Sequence, residues 1–196
     1  LPVWAFPIGL MLLLLLLQFL GDSGREWLCF DRVEIAHGEV WRLITGSFVH
    51  LGWWHLFLNE MGILVLVLLC PQPLSSAVWL RRLVLLSLGM GAALYLWAPA
   101  LARYVGLSGV LHGLFVLGLM PQVLRRDLIS TGCLVYLLGK LGWELWSGTP
   151  VSDEQAIGGP VALQSHLFGA IAGFVYGLIF RSYTRMETFR MKGRIE

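Results

Sequence analysis

The sequence predicts an all-α membrane protein, a single domain of six membrane-spanning helices over residues 1–196. Three observations carry that expectation. Of the 196 residues 57% are hydrophobic and only 13% charged, whereas a soluble domain of this size is about a quarter charged. Six apolar segments, at about 3–20, 53–70, 83–98, 108–120, 128–146 and 163–180, are divided by more polar stretches; most are near the length that crosses hydrocarbon as a helix. Lys and Arg are also distributed unevenly between alternate loops, as membrane topology requires.

The first segment contains the uncharged run from Ile8 to Leu20. No small-residue cleavage site follows it, so a span is expected and not a secretory leader. The stretch from Gly21 to Gly52 is too long for a turn. It mixes Trp27, Phe30, Trp41 and Phe48 with Asp22, Glu26, Asp31, Glu34 and Glu39, a composition suited to headgroup level. After segment two come Arg81 and Arg82, read as loop residues; after segment four, Arg125 and Arg126; after segment six, Arg181, Arg185, Arg190, Lys192 and Arg194. The opposite side holds Arg25, Arg32, Arg42 and Arg103, and Lys140 stays within segment five. The asymmetry predicts that both termini are cytoplasmic. Cys29, Cys70 and Cys133 lack metal-ligand spacing and read as isolated thiols.

Polar residues in apolar helices then need a reason. Segments two, four and six all run from the outer side inward. His55 precedes Pro71 by 16 residues, Ser108 precedes Arg125 by 17, and His166 precedes Arg181 by 15. At a helical rise of ~1.5 Å these lie ~24, ~25 and ~22 Å above the inner edge. They share a level beneath the outer surface of a ~30 Å hydrocarbon core. Gly109 and Gly113 on segment four, and Gly169, Gly173 and Gly177 on segment six, recur every four residues. Such faces let two backbones approach closely, which would bring Ser108 within hydrogen-bond reach of His166.

A serine hydroxyl becomes a useful nucleophile when a neighbouring base takes its proton. His166 is the candidate base. No acidic residue shares its level on segments four or six, so a dyad is expected and not a triad. A tetrahedral oxyanion would need donors, and the Ser108 amide at its helix start, the His55 imidazole and the Asn59 amide are the candidates. Taken singly, each buried polar group is equally explained by an interhelical hydrogen bond.

On these residues the chain resembles the rhomboid family of intramembrane serine proteases. The likeness runs through Trp41-Arg42, through His50, His55 and Asn59 in HLGWWHLFLN, through Gly106-Leu-Ser108-Gly109, and through His166-Leu-Phe-Gly169. It implies a rhomboid-like bundle in which Ser108 is nucleophile, His166 general base, and His55 and Asn59 oxyanion donors. Gly106, Gly109, His50, Trp41 and Arg42 would be supports, the last two bracing the first outer loop. It also implies transmembrane protein substrates met in the lipid bilayer, no cofactor, no metal and no nucleic acid. The expected location is a bacterial inner (cytoplasmic) membrane.

His112 departs from the commoner pattern, in which tyrosine packs against the catalytic histidine. The run GLSGVLHG looks like the rhombosortase branch, whose substrates carry a C-terminal Gly-Gly motif, a helix and a basic tail; a general housekeeping rhomboid is the plain alternative. His112, one turn deeper than Ser108, is expected to stack under His166. Lys140 and Glu144, four apart in segment five, are expected to pair and snorkel, or to line the gap through which a substrate helix enters. A transporter or channel would also place polar groups in a membrane, but the two halves show no inverted repeat. A zinc protease is disfavoured by the lack of H-E-x-x-H. A catalytically dead scaffold would have no need of both Ser108 and His166.

Overall fold

A computed structural model describes residues 4–180 and Ser182. Among them the chain forms ten α-helices: α1 (Ala5–Gln18), α2 (Gly21–Leu28), α3 (Arg32–Ala36), α4 (Arg42–Thr45), α5 (Trp53–Leu69), α6 (Ser76–Trp97), α7 (Ser108–Val123), α8 (Leu128–Ser147), α9 (Glu154–Ile157) and α10 (Leu163–Ile179). Two short strands, β1 (Phe30–Asp31) and β2 (Arg103–Tyr104), pair antiparallel with Phe30 opposite Tyr104.

The six apolar segments appear in order as α1, α5, α6, α7, α8 and α10. Helix is the economical state for such runs, because hydrocarbon offers nothing else for backbone N–H and C=O to bond. Among the described residues only α6 and α8 are long and apolar enough to span by themselves. The pair α1–α2, bent by 111°, and the stretch Arg42–Phe48 with α5, bent by 91°, raise the number to four if each is one broken span. α7 and α10, at 16 and 17 residues, reach about 24–26 Å. Each is a little shorter than a ~30 Å hydrocarbon core. The start of the first segment and the basic tail from Arg181 to Arg194, Ser182 apart, lie outside the described residues.

The third helix begins at Ser76, not at 83, so Arg81 and Arg82 are helical and not in a loop. Ser75 accepts from the Val78 amide and caps the helix start. Arg82, buried, donates to Gln72 Oε1 at 3.0 Å, and Arg81 donates to the Tyr176 hydroxyl at 2.8 Å. Arg81 also lies 4.3 Å from the Phe180 ring centroid. Paired in this way, both arginines can remain on an apolar helix.

α7 is the central helix, packed by α5, α6, α8 and α10. Pro121 in its last turn has no N–H for the Leu117 carbonyl, and the Gln72 side-chain amide approaches that oxygen at 3.4 Å instead. Glycines set the approach of α7 to α10: a Cβ on Gly169 would overlap the Gly109 carbonyl oxygen, and one on Gly173 the Gly113 carbonyl. α8 packs chiefly on α7 and α10. Its outer face exposes Leu128, Ile129, Val135, Tyr136 and Trp146, and α1 and α10 expose Leu12, Leu16, Ile171 and Leu178. Apolar surface in that quantity belongs in lipid, and the protein is an integral membrane protein.

Residues 21–52 fold onto the end of the bundle where α5, α7 and α10 start. Arg32 is one of the fastenings. Its guanidinium donates to the carbonyls of Leu94, Tyr95, Ala98 and Leu101 at 2.7–3.0 Å, closing the C-terminal end of α6. Arg103 bonds Asp31 at 2.8 Å and Glu26 at 3.0 Å, across the β1–β2 pair. The Asp31 side chain also caps α3. Burial opposes its charge, yet the Glu34 and Val33 amides and Arg103 outweigh that and hold its pKa below the ordinary value.

Candidate active site

Ser108 is the first residue of α7, where amide N–H groups have no intrahelical partner. The chain is pinned just before it: the Gly106 amide donates to Gly46 O at 3.0 Å, and the Tyr104 hydroxyl donates to Gly106 O. Gly106 has φ +116°, and a Cβ there would stand 2.7 Å from both Cε1 and Nε2 of His55. Glycine is thus required twice over, for conformation and for space. At Gly109 a Cβ would collide with Met90 Sδ and approach Ser165 O to 2.7 Å. The two glycines flanking Ser108 let it sit between α5 and α10.

The close helix crossing brings His166, in the first turn of α10 and 3% exposed, to Ser108: Nε2 lies 3.1 Å from Oγ. Its other nitrogen, Nδ1, is 2.9 Å from Glu144 Oε2. A carboxylate only accepts, so Nδ1 carries the proton and Nε2 keeps its lone pair for the Ser108 hydroxyl. His166 thus bonds an acidic side chain supplied by α8 and not by the helices that bear Ser108 and His166. Glu144 is 1% exposed and Lys140 Nζ donates to its Oε1 at 2.7 Å. The two do pair, but they face inward and do not snorkel.

His112 stacks on His166, with ring centroids 4.3 Å apart and planes within 17°. Its Nδ1 lies 2.7 Å from the Ser108 carbonyl, one helical turn back. Only an N–H can serve there, so Nε2 is the acceptor and Lys140 donates to it at 3.2 Å.

His55 and Asn59 face the same space from α5. The Leu51 amide approaches His55 Nδ1 at 3.4 Å, which leaves the proton on Nε2, on the edge of the ring that faces Gly106. Asn59 Nδ2 donates one hydrogen to the His55 carbonyl at 2.9 Å and has a second to offer. His50, 2% exposed, packs edge-on against His55 at 5.1 Å. Arg42 is buried and donates to the Glu26 and Cys29 carbonyls at 2.7 and 2.9 Å, while bonding Glu39. Trp41, by contrast, is 40% exposed against Trp27; it does not enter the core of the loop.

Ser108 stands where two cavities meet. One, about 540 Å³, lies between α5, α7 and α8, with apolar walls such as Leu58, Val65 and Phe115 and a polar end at His55, Asn59, Ser108, His112, Lys140 and His166. The other, about 450 Å³, reaches His55 and Ser108 from the loop side past Arg25, Glu26, Arg103 and Gln164. An apolar approach and a more polar one thus converge on one hydroxyl. Glu144 was not among the residues that the motif pointed to. Its signal was depth: on α8, which runs the other way, Glu144 stands 18 residues beyond Arg126, or ~27 Å, level with Ser108.

Comparison with known proteins gives a concordant result. Residues 37–183 match the model of the Rhomboid domain family. The chain is 28% identical over 149 residues to the candidate rhomboid protease YdcA of Bacillus subtilis (strain 168), covering 74% of this chain and 69% of that protein. It is 30% identical over 179 residues to the uncharacterized protein ML1171 of Mycobacterium leprae (strain TN), covering 84% of this chain and 66% of that protein.

Proposed function

This chain belongs to the rhomboid family, and from that premise we propose that it is an intramembrane serine endopeptidase with Ser108 as nucleophile and His166 as general base. The observation that carries the proposal is the 3.1 Å contact of His166 Nε2 with Ser108 Oγ, part-buried where the two cavities meet. His166 takes the hydroxyl proton on Nε2 as Oγ bonds to the scissile carbonyl carbon. The oxyanion accepts from the Ser108 amide, His55 Nε2–H and the free Asn59 hydrogen. Collapse expels the amine, which receives the proton from His166 and leaves an acyl ester on Ser108. Water arriving through the loop-side cavity gives a proton to His166 as its oxygen bonds to the acyl carbon; collapse releases the carboxylic acid, and His166 returns the proton to Ser108 Oγ.

In this reading all six apolar helices cross a bacterial inner membrane, both termini are cytoplasmic, and the substrate is a single-span membrane protein. The space between α5, α7 and α8 receives its helix. The substrate class we favour is the C-terminal sorting anchor, Gly-Gly followed by an apolar helix and a basic tail; the GLSGVLHG run supports it over a general rhomboid specificity. The test pairs two measurements in detergent micelles. A fluorophosphonate probe should label wild-type protein and not S108A, and a helical substrate with Gly-Gly should be cleaved faster than its Leu-Leu counterpart. Labelling that persists in S108A would remove Ser108 as nucleophile; equal cleavage of the two substrates would remove the sorting-anchor class alone.

A further inference from the structure

A histidine base has two nitrogens and one proton to place when neutral, so something must decide which nitrogen is free. Here the deciding group comes from α8. Glu144 Oε2 lies 2.9 Å from His166 Nδ1, and Glu144 Oε1 is held by Lys140 Nζ at 2.7 Å. Lys140 is itself anchored by His112 Nε2 at 3.2 Å. Its 3.4 Å approach to His166 Nδ1 is a proximity and not a bond, because that nitrogen already donates to Glu144.

Resting on the serine-peptidase reading, we propose that Glu144 is the positioning residue for His166, completing a Ser108–His166–Glu144 chain, and that Lys140 sets which face the carboxylate presents. The carboxylate keeps the proton on Nδ1, so Nε2 is always the acceptor for Ser108. When that acceptance makes His166 an imidazolium, the neighbouring negative charge stabilises it. No proton passes to Glu144; it stays on Nδ1 throughout, as in an aspartate-containing triad. Lys140 balances the buried carboxylate while His166 is neutral. It can do so only because His112 Nδ1 is committed to the Ser108 carbonyl, which leaves His112 Nε2 free to accept. The five side chains, Ser108, His166, Glu144, Lys140 and His112, form one network in which each proton has a single place.

This arrangement makes an unusual demand on amide chemistry. In E144Q the ammonium of Lys140 would still seek an acceptor and would hold the amide oxygen. The NH2 group would then face His166 Nδ1, force the proton to Nε2, and deprive Ser108 of its base. Loss of the correct tautomer costs on the order of 10⁴-fold in kcat where it has been isolated, and a fall of about 10³–10⁴ with KM little changed is expected here. Removing the lysine should partly undo it. In the double variant K140M/E144Q the amide can turn its oxygen to Nδ1–H, and kcat should recover at least about tenfold over E144Q, though not the charge stabilisation.

The experiment is steady-state cleavage of one helical substrate by wild type, S108A, E144Q and K140M/E144Q, each normalised to monodisperse folded protein and run below every unfolding midpoint. A simple packing role for Glu144 predicts that the double variant is no better than E144Q. That outcome, or an E144Q with kcat within threefold of wild type, overturns the proposal. If E144Q is lost in folding, E144D replaces it as the single variant: its retained charge should keep it more active than the double variant, and the reverse order overturns the proposal. Activity remaining in S108A would instead overturn the serine-peptidase reading itself, so the two failures are distinct.

Discussion

Gly106→Ala tests how the oxyanion donors are placed. A methyl at this position would stand 2.7 Å from both Cε1 and Nε2 of His55, against an ordinary contact of about 3.4 Å or more. Something must give by about 0.7 Å. The Gly106 backbone is held by its bond to Gly46 and by Tyr104, so the His55 ring is the part that yields. Alanine at φ +116° also adds backbone strain of about 1–3 kcal/mol, which lowers stability without touching chemistry. The displacement acts on the donor: a misplacement near 1 Å costs about 10²-fold, and outright loss of an oxyanion donor about 10²–10³. Cleavage by Gly106→Ala should therefore fall about 10²-fold in kcat at temperatures where the variant stays folded. The decisive comparison is a double-mutant cycle with His55→Ala. With the ring absent the methyl meets open space, so Gly106→Ala should add less than about threefold to the loss caused by His55→Ala. Fully additive losses would show that Gly106 does not act through His55, and the placement of that donor would have to be abandoned.

Three further outcomes are expected. His112→Tyr should keep substantial activity, since a ring can still stack on His166, whereas His112→Ala should lose more as the imidazole gains freedom; cleavage of one helical substrate checks it, and equal inactivity would point to the Lys140 bond and not the stack. Arg32→Ala leaves four carbonyls at the end of α6 without their common donor and should destabilise the fold by about 2–4 kcal/mol, read as a lowered unfolding midpoint in micelles. Asp31 has a pKa held below its ordinary 3.8, so its stabilisation is full above the unfolded value and is lost as pH falls through the lower folded one. The unfolding-midpoint difference between wild type and Asp31→Asn should hold steady above about pH 5 and close progressively below about pH 4; a gap that widens in acid would contradict this.

The amino-acid sequence by itself determined the helices and the level of the polar residues within them. In hydrocarbon a backbone must bond to itself, so an uncharged run such as Ile8 to Leu20 has little choice but helix. A fixed rise per residue makes depth countable, which is why Ser108, His166 and His55 could be placed at one height before their contacts were known. Their glycine faces also foretold the α7–α10 approach, because only small residues permit it. What the sequence left open was rotation and reach. α8 carries apolar side chains on most of its circumference, so no stripe marks the side that faces inward, and Lys140 with Glu144 could as well have turned to the lipid edge. Tertiary packing alone brings Glu144 to His166 and thereby selects the tautomer of that imidazole. The same limit explains Arg81, Arg82 and Arg32. A charge beside an apolar run reads as a loop until a distant partner is found, and Tyr176, Gln72 and the open end of α6 are partners that no local spacing announces.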